Sequence, residues 1–185
     1  MRCPSCLSNI HAHAETCPHC DCGMQSLDDE FGAEEKRFNC LDDCIGNIGH
    51  TQIHMLHEKM RDFERKFPQL FLAIHVVKPV TASEMQRYGL WMLNRGIFGH
   101  SDGEAKCRNG IILLLIAPEL RSAVILTGAL VEPLVSDRIL FDILCRAHSL
   151  WQEGFYADGC VEVINGITAE LKKRAFLKSV LHPFF

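Results

Sequence analysis

An α/β fold with a mixed sheet layered by helices, led by a small four-cysteine module, is the class this sequence predicts, on three observations. Helical and strand patterns alternate from Asn39 onward in the order helix, strand, helix, strand, strand, helix, helix. The two adjacent strand patterns are joined only by Pro118-Glu119-Leu120-Arg121. So short a turn makes them an antiparallel hairpin, because a parallel pair needs a long crossover. Two Cys-Pro-x-Cys sequences, Cys3-Pro4-Ser5-Cys6 and Cys17-Pro18-His19-Cys20, open the chain with ten residues between them.

A Cys-x2-Cys pair on a tight turn sets two thiolates about 3.5–4 Å apart, on adjacent corners of a metal tetrahedron, and a second pair completes it. Cys3, Cys6, Cys17 and Cys20 are therefore the expected ligands of a structural Zn²⁺, a redox-inert ion suited to four soft thiolates. A closed site leaves no position for water or substrate, so this zinc ribbon, residues 1–24, staples the fold rather than doing chemistry. Cys22 and His19 are surplus donors. Either in place of Cys20 gives a shifted all-cysteine set or a set of three cysteines and one histidine.

Residues 25–38 are acidic and lack a period, and read as a linker. Over 48–67, Ile53, Leu56, Met60, Phe63 and Phe67 recur every three or four positions and predict a helix that stops at Pro68. Residues 70–77, rich in β-branched and aromatic side chains, predict a strand. Ser83 and Gln86 form a capping box for a helix carrying Tyr88, Trp91 and Met92 and running to about Arg95. Gly96, Gly99 and Gly103 mark a loop. Ile111 to Ala117, apolar throughout between Asn109-Gly110 and Pro118, is a buried strand, and Ser122 to Thr127, closed by Gly128, is its partner. Ser136 or Asp137 caps a helix with Leu140, Ile143, Leu144, Ala147 and Trp151 on one face. Gly154 breaks it, and Asp158 starts a last helix with Val161, Ile164, Ile167 and Leu171. Residues 175–185 remain apolar, a tail that folds back on the sandwich or docks on a partner.

The 185 residues suit one medium domain with an accessory, and 48% apolar content is enough for a real core. The longest apolar run falls far short of the roughly 20 residues that span a membrane, so no insertion is expected. Met1-Arg2-Cys3-Pro4 runs straight into the first knuckle with no cleavable apolar stretch. The other cysteines are scattered, as reduced thiols are, so the expected compartment is the cytoplasm. Net charge is −4, divided as −6 over residues 1–44 and +2 over the rest. Four thiolates around Zn²⁺ add a further −2 to the ribbon. A nucleic-acid ribbon needs basic surface to neutralise phosphates, and this one has almost none. A positively charged protein partner suits it instead.

Gly99, Asn109-Gly110, Ile111 to Ala117, Arg121, Gly128, Glu132, Asp137, Glu153-Gly154-Phe155-Tyr156 and Gly159 form a set. It resembles the TPM domain family, with its Asn-Gly before an apolar strand, arginine in the next turn, Gly…Glu…Asp passage and late Gly-x-Tyr…Gly. The resemblance covers roughly residues 39–174 and implies a three-layer α/β/α sandwich of Rossmann-like appearance. Members include membrane-anchored bacterial proteins, lumenal photosystem-maintenance factors and receptor-associated proteins, and some are credited with phosphatase activity or calcium binding. Here a ribbon stands where many members carry a signal peptide and a membrane helix. The resemblance also implies a second cation site. Glu132 and Asp137, on the loop after the third strand, with Asp42 or Asp43 from the first loop, would hold Ca²⁺ or Mg²⁺ through oxygen. The alternative is that Asp137 caps its helix and Glu132 is solvated.

Other constellations are weaker. His50, His54 and His57 fall near one helical face at i, i+4 and i+7, but flank the apolar stripe as an exposed border would. Six residues after Cys40, Cys107 and Cys145 come Gly46, Leu113 and Trp151, so the Cys-x5-Arg phosphatase loop is missing, as is an Asp-x-Asp nucleophile. Cys145 and His148 lie one turn apart, with Cys145 reading as packed core. The expectation is a non-catalytic binding or scaffold protein. The alternative is a metal-assisted phosphatase using Glu132 and Asp137 with the loop carboxylates.

Overall fold

The computed structural model describes every residue except 1, 2, 4, 7, 10, 12, 13, 80, 100–106 and 182–185, with side chains through 174. In chain order its elements are α1 (Met24–Phe31), β1 (Lys36–Asn39), β2 (Leu41–Asp43), α2 (His50–Lys66), β3 (Phe71–Val76) and α3 (Ala82–Arg95). They continue as β4 (Gly96–Gly99), β5 (Ile111–Ala117), β6 (Ser122–Thr127), α4 (Asp137–Gln152) and α5 (Tyr156–Leu181).

The main sheet has the order β2-β3-β5-β6, with the first three strands parallel and β6 antiparallel to β5. Every residue of β3 and β5 is buried, as strands covered on both faces must be. Each aliphatic side chain of β5 so enclosed contributes about 2 kcal/mol of apolar burial. Helices α2, α4 and α5 pack together on one face, with α2 against β3 and α4 against β6. On the other face α3 crosses β5 and β6, so close that Gly89 sits against the methyls of Leu115 and Leu126. Helix α1 packs on α3. The architecture is a three-layer α/β/α sandwich with a mixed sheet, carrying a cysteine cluster at its N-terminus.

The sequence expectation needs correction at several elements. Residues 25–38 are not a free linker but α1, a turn and β1. The Gly96–Gly99 loop is instead β4, paired in parallel with β1 as a separate two-stranded sheet. Extended chain from 36 to 43 changes sheets at Cys40, its first part on β4 and its second on β3. The capping box of α3 is Thr81 with Glu84, two residues before Ser83 and Gln86. Thr81 Oγ1 accepts the Glu84 N–H at 3.1 Å, and Glu84 Oε2 accepts the Thr81 N–H at 3.3 Å. Helix α5 runs through to Leu181, taking in the first part of the expected apolar tail, whose last residues lie outside those described. Among the described residues no helix is long and apolar enough to cross a membrane.

Helix α1 docks through buried Leu27 and through charge. Arg95 grips Asp28 with two donors, its Nε at 2.9 Å from Oδ1 and its Nη2 on Oδ2. Arg87 grips Glu30 in the same forked way, at 2.9 and 2.7 Å. Arg108 pairs with Glu35. Trp91 adds an indole N–H to the Gly32 carbonyl at 2.8 Å, and Phe31 meets Tyr88 edge-on at 5.3 Å. Forked arginine–carboxylate pairs fix orientation as well as distance, so the segment entering from the cysteine module is held in one place on α3.

His75 joins the two sheets. It is 3% exposed, lies among Phe38 and Phe98, and its Nε2–H donates to the Asn39 carbonyl at 2.8 Å. Burial pushes its pKa below the ordinary 6.5, outweighing the Asn39 carbonyl and the Asp42 charge, which favour the imidazolium. The folded chain thus keeps His75 neutral where the unfolded chain takes up a proton. Its contribution is neutral above about pH 6.5 and turns unfavourable as pH falls below it, by up to about 1.4 kcal/mol per pH unit. Urea midpoints at pH 7.5 and 5.5 should therefore fall further apart in the native chain than in His75→Gln. Equal drops would exclude this role.

Candidate metal centre

The two Cys-Pro-x-Cys segments fold alike. Cys3 N–H donates to the Ser8 carbonyl at 2.9 Å, and Cys17 N–H donates to the Cys22 carbonyl at 2.9 Å, five residues on in both. The amide two residues after each first cysteine points back at its sulfur: Ser5 N–H to Cys3 Sγ at 3.4 Å, His19 N–H to Cys17 Sγ at 3.5 Å. The second knuckle is closed by a Thr16–Gly23 bridge and a left-handed Asp21 at φ 53°. Asp tolerates that region better than most residues with a Cβ, which suits it to follow the second cysteine.

Each knuckle points one buried sulfur inward and one exposed sulfur outward: Cys3 and Cys17 buried, Cys6 and Cys20 exposed. The pairs interleave, with Cys3 and Cys20 Sγ 3.6 Å apart, Cys6 and Cys17 Sγ 3.6 Å apart, and all four within 4.8 Å of one another. A regular tetrahedron of metal–sulfur bonds of about 2.3 Å has edges of about 3.8 Å, so the four thiols fit one ion. The structure brings Cys20 into the set and leaves out Cys22 and His19. Cys22 instead packs against the core beside Met24. Ser8 was not singled out by spacing. Its hydroxyl and amide hold the Cys6 thiol down at about 6, whereas burial pushes Cys17 up to about 11. For Cys3, the other buried sulfur, burial is outweighed by hydrogen bonds and the pKa is lowered. The two inner thiols therefore differ, and an ion that binds all four must displace the proton held on Cys17.

The second cation site does not assemble. Among the described residues the four cysteines are the one group of three or more such side chains close enough to share an ion. The sheet register explains why. Asp43 stands opposite Val76, Val76 opposite Ile116, and Ile116 opposite Ala123, all at one end. Thr127, which leads to Glu132 and Asp137, stands opposite Ile112 at the other end. Three strand spacings put the two groups about 14 Å apart across the sheet, and four residues add about 13 Å along it. Loops after successive strands share an end only when the strands are parallel, and β6 is antiparallel. Asp43 is otherwise engaged: Oδ1 accepts the N–H groups of Ile45 (3.1 Å) and Gly46 (2.9 Å), and Oδ2 that of Ile48 (2.7 Å). Asp42 is exposed beside Lys36 and Lys78 in a cleft of about 540 Å³. Glu132 is exposed, and Asp137 is the first residue of α4 rather than its cap, which is Ser136.

Among the described residues the three histidines of α2 do not converge as a ligand set, and His54 faces Glu58 at 4.0 Å on the surface. Cys145, expected in the core, is exposed.

No protein-family model matches the chain, and no curated protein matches it. Solved structures do. The N-terminal domain of a protein from P. gingivalis, determined in solution by NMR, is similar with 18% identity and a TM-score of 0.54, over 73% of this chain and 83% of that one. The N-terminal domain of the cg2496 protein from Corynebacterium glutamicum is similar with 14% identity and a TM-score of 0.53, over 71% and 78%. At these identities the likeness is one of fold.

Proposed function

We propose that this protein is a non-catalytic binding or scaffold protein of the cytoplasm, built from a structural zinc ribbon docked on a TPM-like α/β/α domain. The observation that carries the reading is the four-thiol set of Cys3, Cys6, Cys17 and Cys20, all within 4.8 Å of one another with two edges of 3.6 Å, a full tetrahedral complement for one ion. Zinc is the ion proposed, because a redox-inert d10 ion has no geometric preference to oppose four soft thiolates. The fold likeness and the placement of Asn109-Gly110, Arg121 and Gly128 at the ends of β5 and β6 support the TPM-like reading. A protein partner would meet the ribbon at its outward face, where Cys6, His19, Cys20 and Asp21 are exposed. The phosphatase alternative loses its grouping of carboxylates, which lie at opposite ends of the sheet.

The test is metal analysis of protein purified without chelator, joined to a phosphate-release assay with Mg²⁺ or Ca²⁺ and to affinity capture with the full chain. One zinc per chain, no turnover, and a captured partner lost in Cys3→Ser/Cys6→Ser are expected. Zinc-free protein, or release of phosphate that depends on an added divalent ion, would overturn the reading.

A further inference from the structure

At the carboxyl end of β5, the β5–β6 turn and the last turns of α4 enclose a pocket of about 400 Å³ that plays no part in the cysteine site. Ile116, Ala117, Pro118 and the ring of Trp151 make its apolar wall. Arg121, His148, Gln152 and Tyr156 bring polar groups to the same space. None of these four side chains has a hydrogen bond or ion pair with any described residue, in contrast to Arg87, Arg95, Arg108 and Arg146, each of which holds a carboxylate. The acid of the turn, Glu119, is held away by Lys78 at 3.1 Å.

The backbone points to the same place. Among the described residues Arg121 is one of two non-glycine residues at positive φ, at 47°. Glycine would meet that turn without strain, and strain of this kind collects at binding sites. The pocket also lies at the carboxyl end of β5, and strand carboxyl ends are where α/β sheets gather ligands; its volume falls in the range of small-molecule sites.

We propose that this pocket binds a small organic oxyanion, a carboxylate or phosphate carried on an apolar or aromatic body. The Arg121 guanidinium is the fork that receives two oxygens, His148, Gln152 and Tyr156 supply further donors, and Trp151 backs the body. This assignment is independent of the ribbon and its partner.

The two indoles make the test. Trp151 N–H donates to the Tyr156 carbonyl at 3.2 Å on the pocket wall, while Trp91 N–H donates to the Gly32 carbonyl across the sheet. Phenylphosphate, benzoate, inorganic phosphate and uncharged benzyl alcohol are titrated into the full chain, with both indole signals followed by NMR. Phenylphosphate or benzoate should shift Trp151 saturably and leave Trp91 in place, and benzyl alcohol should bind about tenfold more weakly or worse. Whichever of the two anions binds more tightly identifies the head group, and the gap to inorganic phosphate measures the aromatic body. Arg121→Gly should weaken binding by about tenfold or more while raising the melting temperature by a few degrees, because the strain is gone. His148→Ala should weaken binding with no such rise. No saturable Trp151 shift at about 20 mM anion, equal binding of benzyl alcohol, or unchanged affinity in Arg121→Gly would each overturn the proposal.

Discussion

Stripping the proposed zinc from the full chain is expected to unfold residues 3–23 and leave the α/β/α sandwich standing. Cys3 and Cys17 are the buried side chains among the described residues of that module, so it has almost no apolar core of its own. Its backbone is held by a few hydrogen bonds and one bridge, too little to offset the entropy of ordering about twenty residues. A structural zinc supplies on the order of 10 kcal/mol at neutral pH, and its removal takes that away. The sandwich keeps its own core around β3 and β5, and α1 stays docked through Arg87 and Arg95. Amide hydrogen exchange separates the two parts. After chelation, or in Cys17→Ser, the sulfur-bonded amides of Ser5 and His19 should exchange freely, while those of β5 keep their protection. Protected Ser5 and His19 amides without metal would refute the assignment.

Among the described glycines, Gly110→Ala should cause the largest loss of stability. A Cβ there would lie 2.0 Å from the Gln69 carbonyl oxygen, where the chain enters β3. The obstructing atom is backbone at the entry to the central strand pair, so no rotamer change relieves it. The cost is about 3 kcal/mol or more, at the upper end of overpacking effects. Gly46→Ala is the control. Its Cβ meets nothing within 4 Å, and only its positive φ of 81° is at issue, worth about 1 kcal/mol. Similar shifts in urea midpoint for both would show that the close approach is not what Gly110 serves.

That contrast bears on what was legible beforehand. Asn109-Gly110 was readable as a stop before an apolar strand. Its second duty, letting the chain at Gln69 pass, depends on a residue more than forty positions away. The strands 111–117 and 122–127 and the helices α2 to α5 stood out because each is a long periodic run or a fully apolar one. β1, β2 and β4 are three or four residues each, and 36–43 mixes Lys, Arg and Asp with single apolar residues, too short a pattern to carry a period. Helix α1 was hidden differently. Its acids looked like a solvated linker because their partners, Arg87 and Arg95, stand 57 and 67 residues away.

The four clustered cysteines were legible because the chemistry is local: two sulfurs per turn, repeated once. The proposed carboxylate site depended on topology instead. The short turn at 118–121 already required β6 to run backwards, and a strand that runs backwards delivers Glu132 and Asp137 to the wrong end of the sheet. The pocket beneath Arg121 had no local signature, since its residues come from β5, the hairpin turn and both ends of the α4–α5 connection.

The arginine grips on Asp28, Glu30 and Glu35 also change how fast and from how far the N-terminal part attracts a partner. Counted along the chain, residues 1–44 carry −6 and the remainder +2. Assigning the three gripped acids to Arg95, Arg87 and Arg108 leaves −3 and −1. The chain-order dipole is thus largely cancelled within the molecule, and an encounter with a basic partner gains little long-range steering. At physiological ionic strength, with a screening length of about 8 Å, what remains is felt only near contact. The association rate of such a partner should therefore depend on salt far less steeply than the sequence's charge division implies.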